Sequence, residues 1–549
     1  MTQTEHGRRL LPSLVDEIAI SDPERVIYSM IKTNNPADGF QDINAKTFAR
    51  AVNKCSWYIE KHLGRGQNFP TLAFIGPQDV VYSILTLACV KTGYKINLLS
   101  PRNTLEASLF LLEETDCKTF LVPPKFPLPI IGQLVQARHM EVLEMPGLQH
   151  WLEDGPVELY PYTKTFEEAR SDPFVVLHTS GSTGMPKPLM QTHGTVATLD
   201  ACIQLSSLGY PDTYLTKCVG SRVYLAFPLC HCAGLWILLP GCIYAGYTVV
   251  LGPFPLSAET ANAVHIHGNV QQSAHIPFIL SDLVKNPEYL DNLGRLDRVI
   301  FGGGSIPKTI GDAIVSKTNL LNCVGTTEGG PILSYLLDKE DWQYVNYSHV
   351  VGSEFRQVSD DLYEHFIVRD PKLDLYQSFF QTFPDLDEWP MKDLYSKHPT
   401  KEDLWLYRGR TDDVIVFSSG ANLNPIDMES VIDSNPAVRA ALVIGTGYPR
   451  SGLLVEAVHP PTNEEEKKKL VDTIWPSVEA ANKPIALSRR IHHDMIIFTS
   501  ADKPMLRAGK GTVQRKLTVD EYSAEIEALY KATESLGVGF TSDWVRQEQ

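Results

Sequence analysis

The sequence predicts an α/β protein: a large N-terminal domain with parallel and mixed β-sheets and crossover helices, followed by a smaller C-terminal domain. Three observations carry that expectation. The chain has 549 residues, more than one ordinary hydrophobic core accommodates. From Leu72 onward, short apolar runs alternate with helical patterns. A polar stretch, Lys392 to Asp403, then precedes Leu404-Trp405-Leu406-Tyr407 and a change of pattern. This places the boundary near Arg408 to Asp412 and divides the chain into residues 1–408 and 409–549.

The alternation begins with the strand Leu72-Ala73-Phe74-Ile75, an amphipathic helix from Val80 to Thr92 and the strand Ile96-Asn97-Leu98-Leu99. A helix from Leu105 to Glu114 and the strand Thr119-Phe120-Leu121-Val122 continue it. Strands separated by helices of this length pair in parallel through crossovers. Further strands are expected at Phe174 to Leu177, Tyr224 to Phe227 and Val299 to Phe301, each running into a Gly, Ser or Pro loop. Ligands of such sheets sit beyond the carboxyl ends of the strands. The end of the chain, Ser535 to Gln549, is expected to be an unanchored tail.

Composition narrows the function. With 43% hydrophobic and 21% charged residues the chain has globular composition. Its formal charge of −16 argues against a nucleic-acid surface, which needs clustered Lys and Arg. Nine cysteines without Cys-x-x-Cys spacing, and with no secretory signal before them, point to a reducing, cytoplasmic setting. Cys230, His231 and Cys232 are adjacent, and contiguous ligands rarely close a tetrahedral metal site. Phe227 to Leu256 carries no Asp, Glu, Lys or Arg. Pro240-Gly241, Gly246, Gly252-Pro253 and Pro255 nevertheless cut it into a helix of about two turns, a connection and the strand Tyr247 to Leu251, the pattern of a buried core and not of a membrane span.

The most specific motif runs from Phe174 through His178-Thr179-Ser180-Gly181-Ser182-Thr183-Gly184-Met185-Pro186-Lys187. Glycines let backbone N–H groups turn towards an anion, hydroxyls add donors and Lys187 supplies a point charge, together a cradle for polyphosphate. No Gly-x4-Gly-Lys-Ser/Thr occurs, and Gly445-Thr446-Gly447 lacks the third glycine of a dinucleotide fingerprint. Kinases, P-loop ATPases and NAD enzymes therefore lose support. His265-Ile266-His267-Gly268 is taken as a pair of core or surface histidines.

Thr-Ser-Gly-Ser-Thr-Gly-x-Pro-Lys resembles the phosphate loop of the adenylate-forming superfamily: acyl-CoA synthetases, nonribosomal peptide synthetase (NRPS) adenylation domains and luciferases. Phe301-Gly302-Gly303-Gly304-Ser305-Ile306-Pro307 resembles the family's glycine loop beside adenine. Asn322-Cys323-Val324-Gly325-Thr326-Thr327-Glu328 is similar to its Asn-x-Tyr-Gly-x-Thr-Glu segment, with Val324 at the aromatic position. Lys392-Asp393-Leu394 resembles the Thr-Gly-Asp-Leu segment, and Gly409-Arg410-Thr411-Asp412 the Gly-Arg-x-Asp hinge. The resemblance implies the adenylate-forming fold with a small, mobile α+β C-terminal domain, and ATP and Mg2+ as cofactors. It implies that Thr327 touches the α-phosphate, that Glu328 holds the metal, that Asp393 and Arg410 bind the ribose and that Asp412 is the pivot. Ser419 to Pro425, followed by Glu429, resembles the loop facing the carrier thiol. By residue type alone, Asp393 and Glu429 are expected to be solvated surface acids.

Lys503 to Lys516 resembles the family's Pro-Lys-Thr-x-x-Gly-Lys-Ile-x-Arg signature in two registers. One makes Lys510 the catalytic lysine; the other leaves Thr512 at that place. Lys510, flanked by glycines, is preferred, because the transition state needs a cation able to enter a cleft.

Pro228 to Trp236 falls where the family lines its acyl pocket. Amino-acid-activating relatives place an Asp here, and Cys232 stands in its place. A buried ammonium without a counter-ion is strongly penalised. A neutral aromatic or other apolar carboxylic acid is expected, in a pocket drawn from His231, Cys232, Gly234, Phe278 and Phe301. His231 either orients the carboxylate or is a hydrogen-bonded core histidine. The details look most like fungal NRPS-like carboxylic acid reductases, in which adenylation, carrier and reductase domains follow in series. The implied partner is a phosphopantetheinylated carrier domain, with no nucleic acid and no membrane. The alternatives are a stand-alone acyl-CoA ligase and a catalytically silent nucleotide-binding module.

Overall fold

A computed structural model describes residues 5–124, 128–179, 185–359, 361–419, 421–507 and 512–535. Backbone proximity divides the chain into two units. The first holds residues 1–355, 366–391 and 397–405; the second holds 356–365, 392–396 and 406–549.

Two sheets organise the first unit. In one the strand order is 319–322, 298–301, 272–275, 222–226, 248–251, 26–31, 40–44. All neighbours are parallel except 26–31 with 40–44. In the other the order is 141–144, 119–122, 71–74, 95–98, 173–179, 187–192, parallel except for the last pair. Such strands are covered on both faces, so they carry apolar runs in place of alternation. Phe174 to Leu177, buried throughout, is an instance. The expected helix Leu105–Glu114 and strand Thr119–Val122 are found at those bounds.

Two local expectations are corrected. The helix Val81–Thr92 is not amphipathic, because all of its residues are buried. Its one charge, Lys91, is matched by Asp16 at 2.6 Å and Asn53 at 2.8 Å. Pro240-Gly241 does not end a helix either: the helical path continues from Cys232–Trp236 through a π turn, Ile237–Gly241, into Cys242–Ala245. A π turn shifts the hydrogen-bond ladder where proline has no N–H to give. The Tyr247 hydroxyl donates to the Ile237 carbonyl at 2.9 Å. Gly241 makes room for it, since a Cβ there would lie 2.1 Å from that hydroxyl oxygen. Among the described residues, no helix is long and apolar enough to cross a membrane.

The early Arg9-Leu10-Leu11-Pro12 run opens the helix Leu11–Ser21 with proline in its first turn. Arg9 also joins the backbone N–H of Gly7 in meeting the fully buried Asp200, which accepts from Gly7 at 2.8 Å.

In the second unit a sheet ordered 438–444, 452–457, 496–498 carries a core on each face. Ala441 and Val443 pack with Met428, Ile432, Ile474 and Val478 on one side; Ala440, Leu442 and Ile444 pack with Tyr522, Ile526 and Tyr530 on the other. That partition is the two-residue period of a strand. Glu429, contrary to its expectation as a surface acid, is buried. It accepts from Val443 N at 2.6 Å and, through both carboxylate oxygens, from one terminal nitrogen of the Arg515 guanidinium, whose other terminal nitrogen donates to the Val443 carbonyl at 3.0 Å. The pair ties the helices Ile426–Asp433 and Arg515–Glu521 to one sheet strand.

Replacing Arg515 with Leu strands a buried carboxylate, with an expected loss of about 3–5 kcal/mol from the second unit. Adding Glu429→Met should restore most of it. Urea unfolding of the two variants checks this, and equal losses in single and double variants would place the stabilisation elsewhere.

Candidate active site

Four parallel strands of the seven-stranded sheet end on one rung. His275 lies opposite Ala226 on one side and Phe301 on the other, and Phe301 lies opposite Asn322. The segments beyond that rung are therefore brought to one edge, where parallel α/β sheets place ligands. Cys323 N donates to the Phe301 carbonyl at 2.7 Å. A Cβ on Gly302 would lie 2.6 Å from the Cys323 carbonyl oxygen, so only glycine lets the two loops approach this closely. Gly303 and Gly304 are exposed beyond it, and Gly303 has φ +80°.

Val324 is half-buried, and its carbonyl accepts from Ile332 N at 2.9 Å. Gly325-Thr326 then pairs with Gly330-Pro331 as a small antiparallel ladder. Thr327 and Glu328 lie at its tip. Gly330 has φ +70°, and a Cβ there would come within 2.5 Å of the Trp236 ring. Trp236 ends the short helix Cys232–Trp236, whose Gly234 sits so near the Pro228 carbonyl that a Cβ would be 2.1 Å away.

This helix meets the tip through polar atoms. The Cys232 thiol donates to the Thr326 carbonyl at 3.3 Å. Burial pushes that thiol up to about 12, and the Glu328 charge adds to the rise, so the group is neutral at physiological pH. Gln191 joins the same cluster: it accepts from the Trp236 indole at 2.9 Å and donates to the Thr327 carbonyl at 2.8 Å. Sequence reasoning passed over Gln191; the available signal was an uncharged amide in the strand that follows the phosphate loop. Of the other expected pocket residues, Phe301 is buried with its ring edge-on to Trp342 at 6.4 Å, and Phe278 is 47% exposed. His275 is drawn into a buried network with Ser273 and His265 of the helix Ala258–His267.

The phosphate loop joins antiparallel strands. Thr179 lies opposite Lys187, which is exposed, while Ser180, Gly181, Ser182, Thr183 and Gly184 fall outside the described residues. His178 fixes the near end. Its Nε2 accepts from Ser100 N at 3.2 Å, which leaves Nδ1 to carry the proton of the neutral ring. Burial, helped by His231 with ring centroids 6.1 Å away, pushes His178 down to about 3.

The remaining expected residues belong to the second unit. Asp393 is buried, unlike the solvated acid expected from its type, and accepts from Arg410 at 3.2 Å. Lys392, which stands where the family's Thr-Gly-Asp has glycine, has φ +60°. An L-residue pays roughly 1–2 kcal/mol for that left-handed conformation. Gly409 has φ +112° against Ile426, and Asp412 is exposed, 3.6 Å from Lys392 and 3.8 Å from Arg410. Lys510, with Ala508, Gly509 and Gly511, lies outside the described residues, as does Gly420. The flanks of the Lys510 loop are described: Arg507 pairs across to Val513, Gln514 N donates to the Leu506 carbonyl at 2.8 Å, and Arg507 meets the buried Glu456 at 2.8 Å. Lys503 is engaged with Glu525 at 2.6 Å and with the Tyr522 ring. Among the described residues no three His, Cys, Asp or Glu side chains form a metal cluster. A single carboxylate such as Glu328 fits a Mg2+ ion that takes its other ligands from phosphate and water.

The chain matches the AMP-binding enzyme family over residues 17–361 and the AMP-binding enzyme C-terminal domain over 412–534. It is 35% identical over 542 residues to a carboxylic acid reductase of Neurospora crassa, covering 96% of this chain and 51% of that protein. It is 34% identical over 548 residues to an isocyanide synthase–NRPS hybrid of Aspergillus fumigatus, covering 98% and 34% respectively. The chain thus spans about a third to a half of the length of these relatives. Among solved structures it is similar to an anthranilate CoA ligase in complex with anthranoyl-AMP, with TM-score 0.70 and 15% identity over 95% of this chain and 98% of that one. It is also similar to the o-succinylbenzoate CoA synthetase of Bacillus subtilis in complex with ATP and magnesium, with TM-score 0.67 and 18% identity over 92% and 98%. At those identities the likeness is one of fold, and the fold is the one the sequence motifs imply.

The His178 geometry predicts a pH dependence. An unfolded histidine binds its proton near 6.5, whereas folded His178 does so only near 3, so between those values the unfolded state holds the extra proton. Its contribution is complete above about 6.5 and is lost as pH falls, at about 1.4 kcal/mol per pH unit. Denaturant unfolding between pH 7 and 4.5 should show a slope that His178→Gln flattens by one proton equivalent. An unchanged slope would mean that His178 is protonated in the folded protein.

Proposed function

The chain belongs to the AMP-binding enzyme family as an adenylate-forming enzyme, and on that premise we propose that it activates a neutral aromatic or apolar carboxylic acid and passes it to a phosphopantetheine thiol. The observation that carries this reading is the shared rung. It sets the glycine loop at Gly302, the tip Thr326–Glu328 and the helix Cys232–Trp236 at one sheet edge, so an acid and a nucleotide can meet there. Three chemical tasks follow. A substrate carboxylate oxygen attacks the ATP α-phosphorus in line, forming the acyl–phosphate bond and breaking the bond to the pyrophosphate oxygen. Thr179 to Lys187 holds the departing pyrophosphate. Thr327 contacts the α-phosphate, and Lys510 offsets charge as the bonds exchange. Mg2+, held by Glu328 together with ATP, supplies further charge neutralisation.

Asp393 and Arg410 take the ribose hydroxyls on this reading. The support is their mutual contact at 3.2 Å in a segment whose left-handed Lys392 reproduces a glycine conformation. Selection against α-amino acids rests on Cys232. A neutral thiol at that position, hydrogen-bonded to a carbonyl, gives a substrate ammonium no counter-charge. Lys510 is favoured over its neighbours because Lys503 is committed to Glu525, while Arg507 and Val513, which flank the glycine-bearing segment in sequence, pair with each other. The thiol step rests on the relatives' names and on the Gly409-Arg410-Thr411-Asp412 pattern: a pivot at Asp412 would let the second unit serve adenylation and then thiolation.

Pyrophosphate exchange across a panel of carboxylic acids tests the reaction. The expected result is exchange with neutral aromatic or apolar acids; exchange that is best with a zwitterionic amino acid would overturn the substrate class. In the same assay Lys510→Ala should lower the rate by ~10²-fold or more while ATP affinity changes far less. An unchanged rate, with loss in Lys503→Ala or Lys516→Ala, would assign the lysine elsewhere. Supplying the activated acid with coenzyme A or with a pantetheinylated carrier decides the acceptor. Thioester on the carrier is expected, and turnover confined to free coenzyme A would make the chain an acyl-CoA ligase.

A further inference from the structure

We propose that Gln191 is a positioning residue for the adenylation step: it locks the Thr326–Glu328 tip to the acid-side helix, so that the site of the carboxylate and the site of the α-phosphate keep one fixed separation. The inference rests on the acid-activating reading above and adds a residue that the sequence motifs do not contain.

Gln191 lies in the strand Lys187–Thr192, opposite Val175, and is fully buried. A buried primary amide needs partners for both of its ends. Here the partners fix which end is which. The Trp236 indole N–H can only donate, so it faces the Gln191 carbonyl oxygen at 2.9 Å; the Thr327 carbonyl can only accept, so it faces the amide nitrogen at 2.8 Å. The same nitrogen lies 3.8 Å from the Cys232 sulfur. One side chain thereby joins the strand leaving the phosphate loop, the acid-side helix and the nucleotide-side tip.

The tip has a second tether from the same helix. Cys232 holds the Thr326 carbonyl and Gln191 holds the next carbonyl, that of Thr327. Two consecutive peptide groups, each held by its carbonyl, fix the backbone from which Thr327 and Glu328 project. The tie to Trp236 matters because that indole packs on Gly330 at the far strand of the tip ladder. A displacement of the helix by a bound acid is thus transmitted to the tip through hydrogen bonds at both of its ends. In-line attack demands that the reacting atoms be placed within a fraction of an ångström, and a misplacement of about 1 Å costs up to ~10²-fold in rate.

The test is steady-state pyrophosphate exchange by Gln191→Met, which keeps the length of the side chain and removes both hydrogen bonds, at a temperature well below its measured unfolding midpoint. The expected result is a kcat lower by roughly 10- to 100-fold, with the KM values for ATP and for the acid each within about threefold of the unsubstituted enzyme. Gln191→Asn retains the amide but falls short of its partners, and the same split is expected of it. It serves if the methionine variant does not yield folded protein by circular dichroism. Unchanged kcat, or a loss carried entirely by the KM for the acid, overturns the positioning role. If the unsubstituted protein supports no exchange with any acid, the acid-activating reading fails and this inference falls with it. Normal exchange by the parent with normal kcat in the variants sinks the inference alone.

Discussion

The rung through Ala226, His275, Phe301 and Asn322 is set by main-chain hydrogen bonds between parallel strands, and the glycine loop at Gly302 and the tip Thr326–Glu328 take their places relative to it. Parallel pairing leaves no freedom in this respect, since a strand that ended early would open a gap in the ladder. Loops of unrelated sequence can then be built on one edge without any of them having to find the others. Glycines appear where two such loops touch backbone to backbone, as Gly302 does at Cys323. Side-chain polarity appears where a loop must be held at a distance, as Cys232 and Gln191 hold Thr326 and Thr327.

Buried charge plays a different part in the two units. Lys91 in the first is enclosed by Asp16 and Asn53, and Asp200 gathers Arg9 and Gly7. Both contacts connect parts of the chain that are distant in sequence. In the second, Glu429 with Arg515 and Glu456 with Arg507 bracket the segment in which Lys510 lies. A buried ion pair is weak as a source of stability but strict about geometry.

Much of the first unit was legible because its signals are local. Apolar runs between helical stretches marked strands such as 119–122 and 298–301, whereas 272–275 and 319–322, half of the rung, hold Gln, Ser, His and Asn and present no such run. Much else that escaped the sequence is non-local. Periodicity over Val80–Thr92 could not show that helix to be enclosed on all sides, which depends on Asp16 being there to receive Lys91. Pro240 looked like a helix end because the compensating hydroxyl of Tyr247 lies further along the chain. Glu429 and Asp393 looked like surface acids for the same reason: their arginines are 86 and 17 residues away. Gln191 offers in sequence only an uncharged amide after the phosphate loop, which names none of its partners, since these come from two other segments.

The pairing of Thr179 with Lys187 makes the length of the phosphate loop a different kind of variable from its composition. Side chains alternate across a strand, so a one-residue slip in register turns each residue to the opposite face. Adding or removing a single residue within 180–186 would thus be absorbed either by the loop itself or by a slip that carries Gln191 out of the interior and Met190, now 42% exposed, into it. Substitution within the loop tests its chemistry. Insertion or deletion tests the sheet, and relatives of this chain that differ in loop composition have far more room to diverge than relatives that differ in loop length.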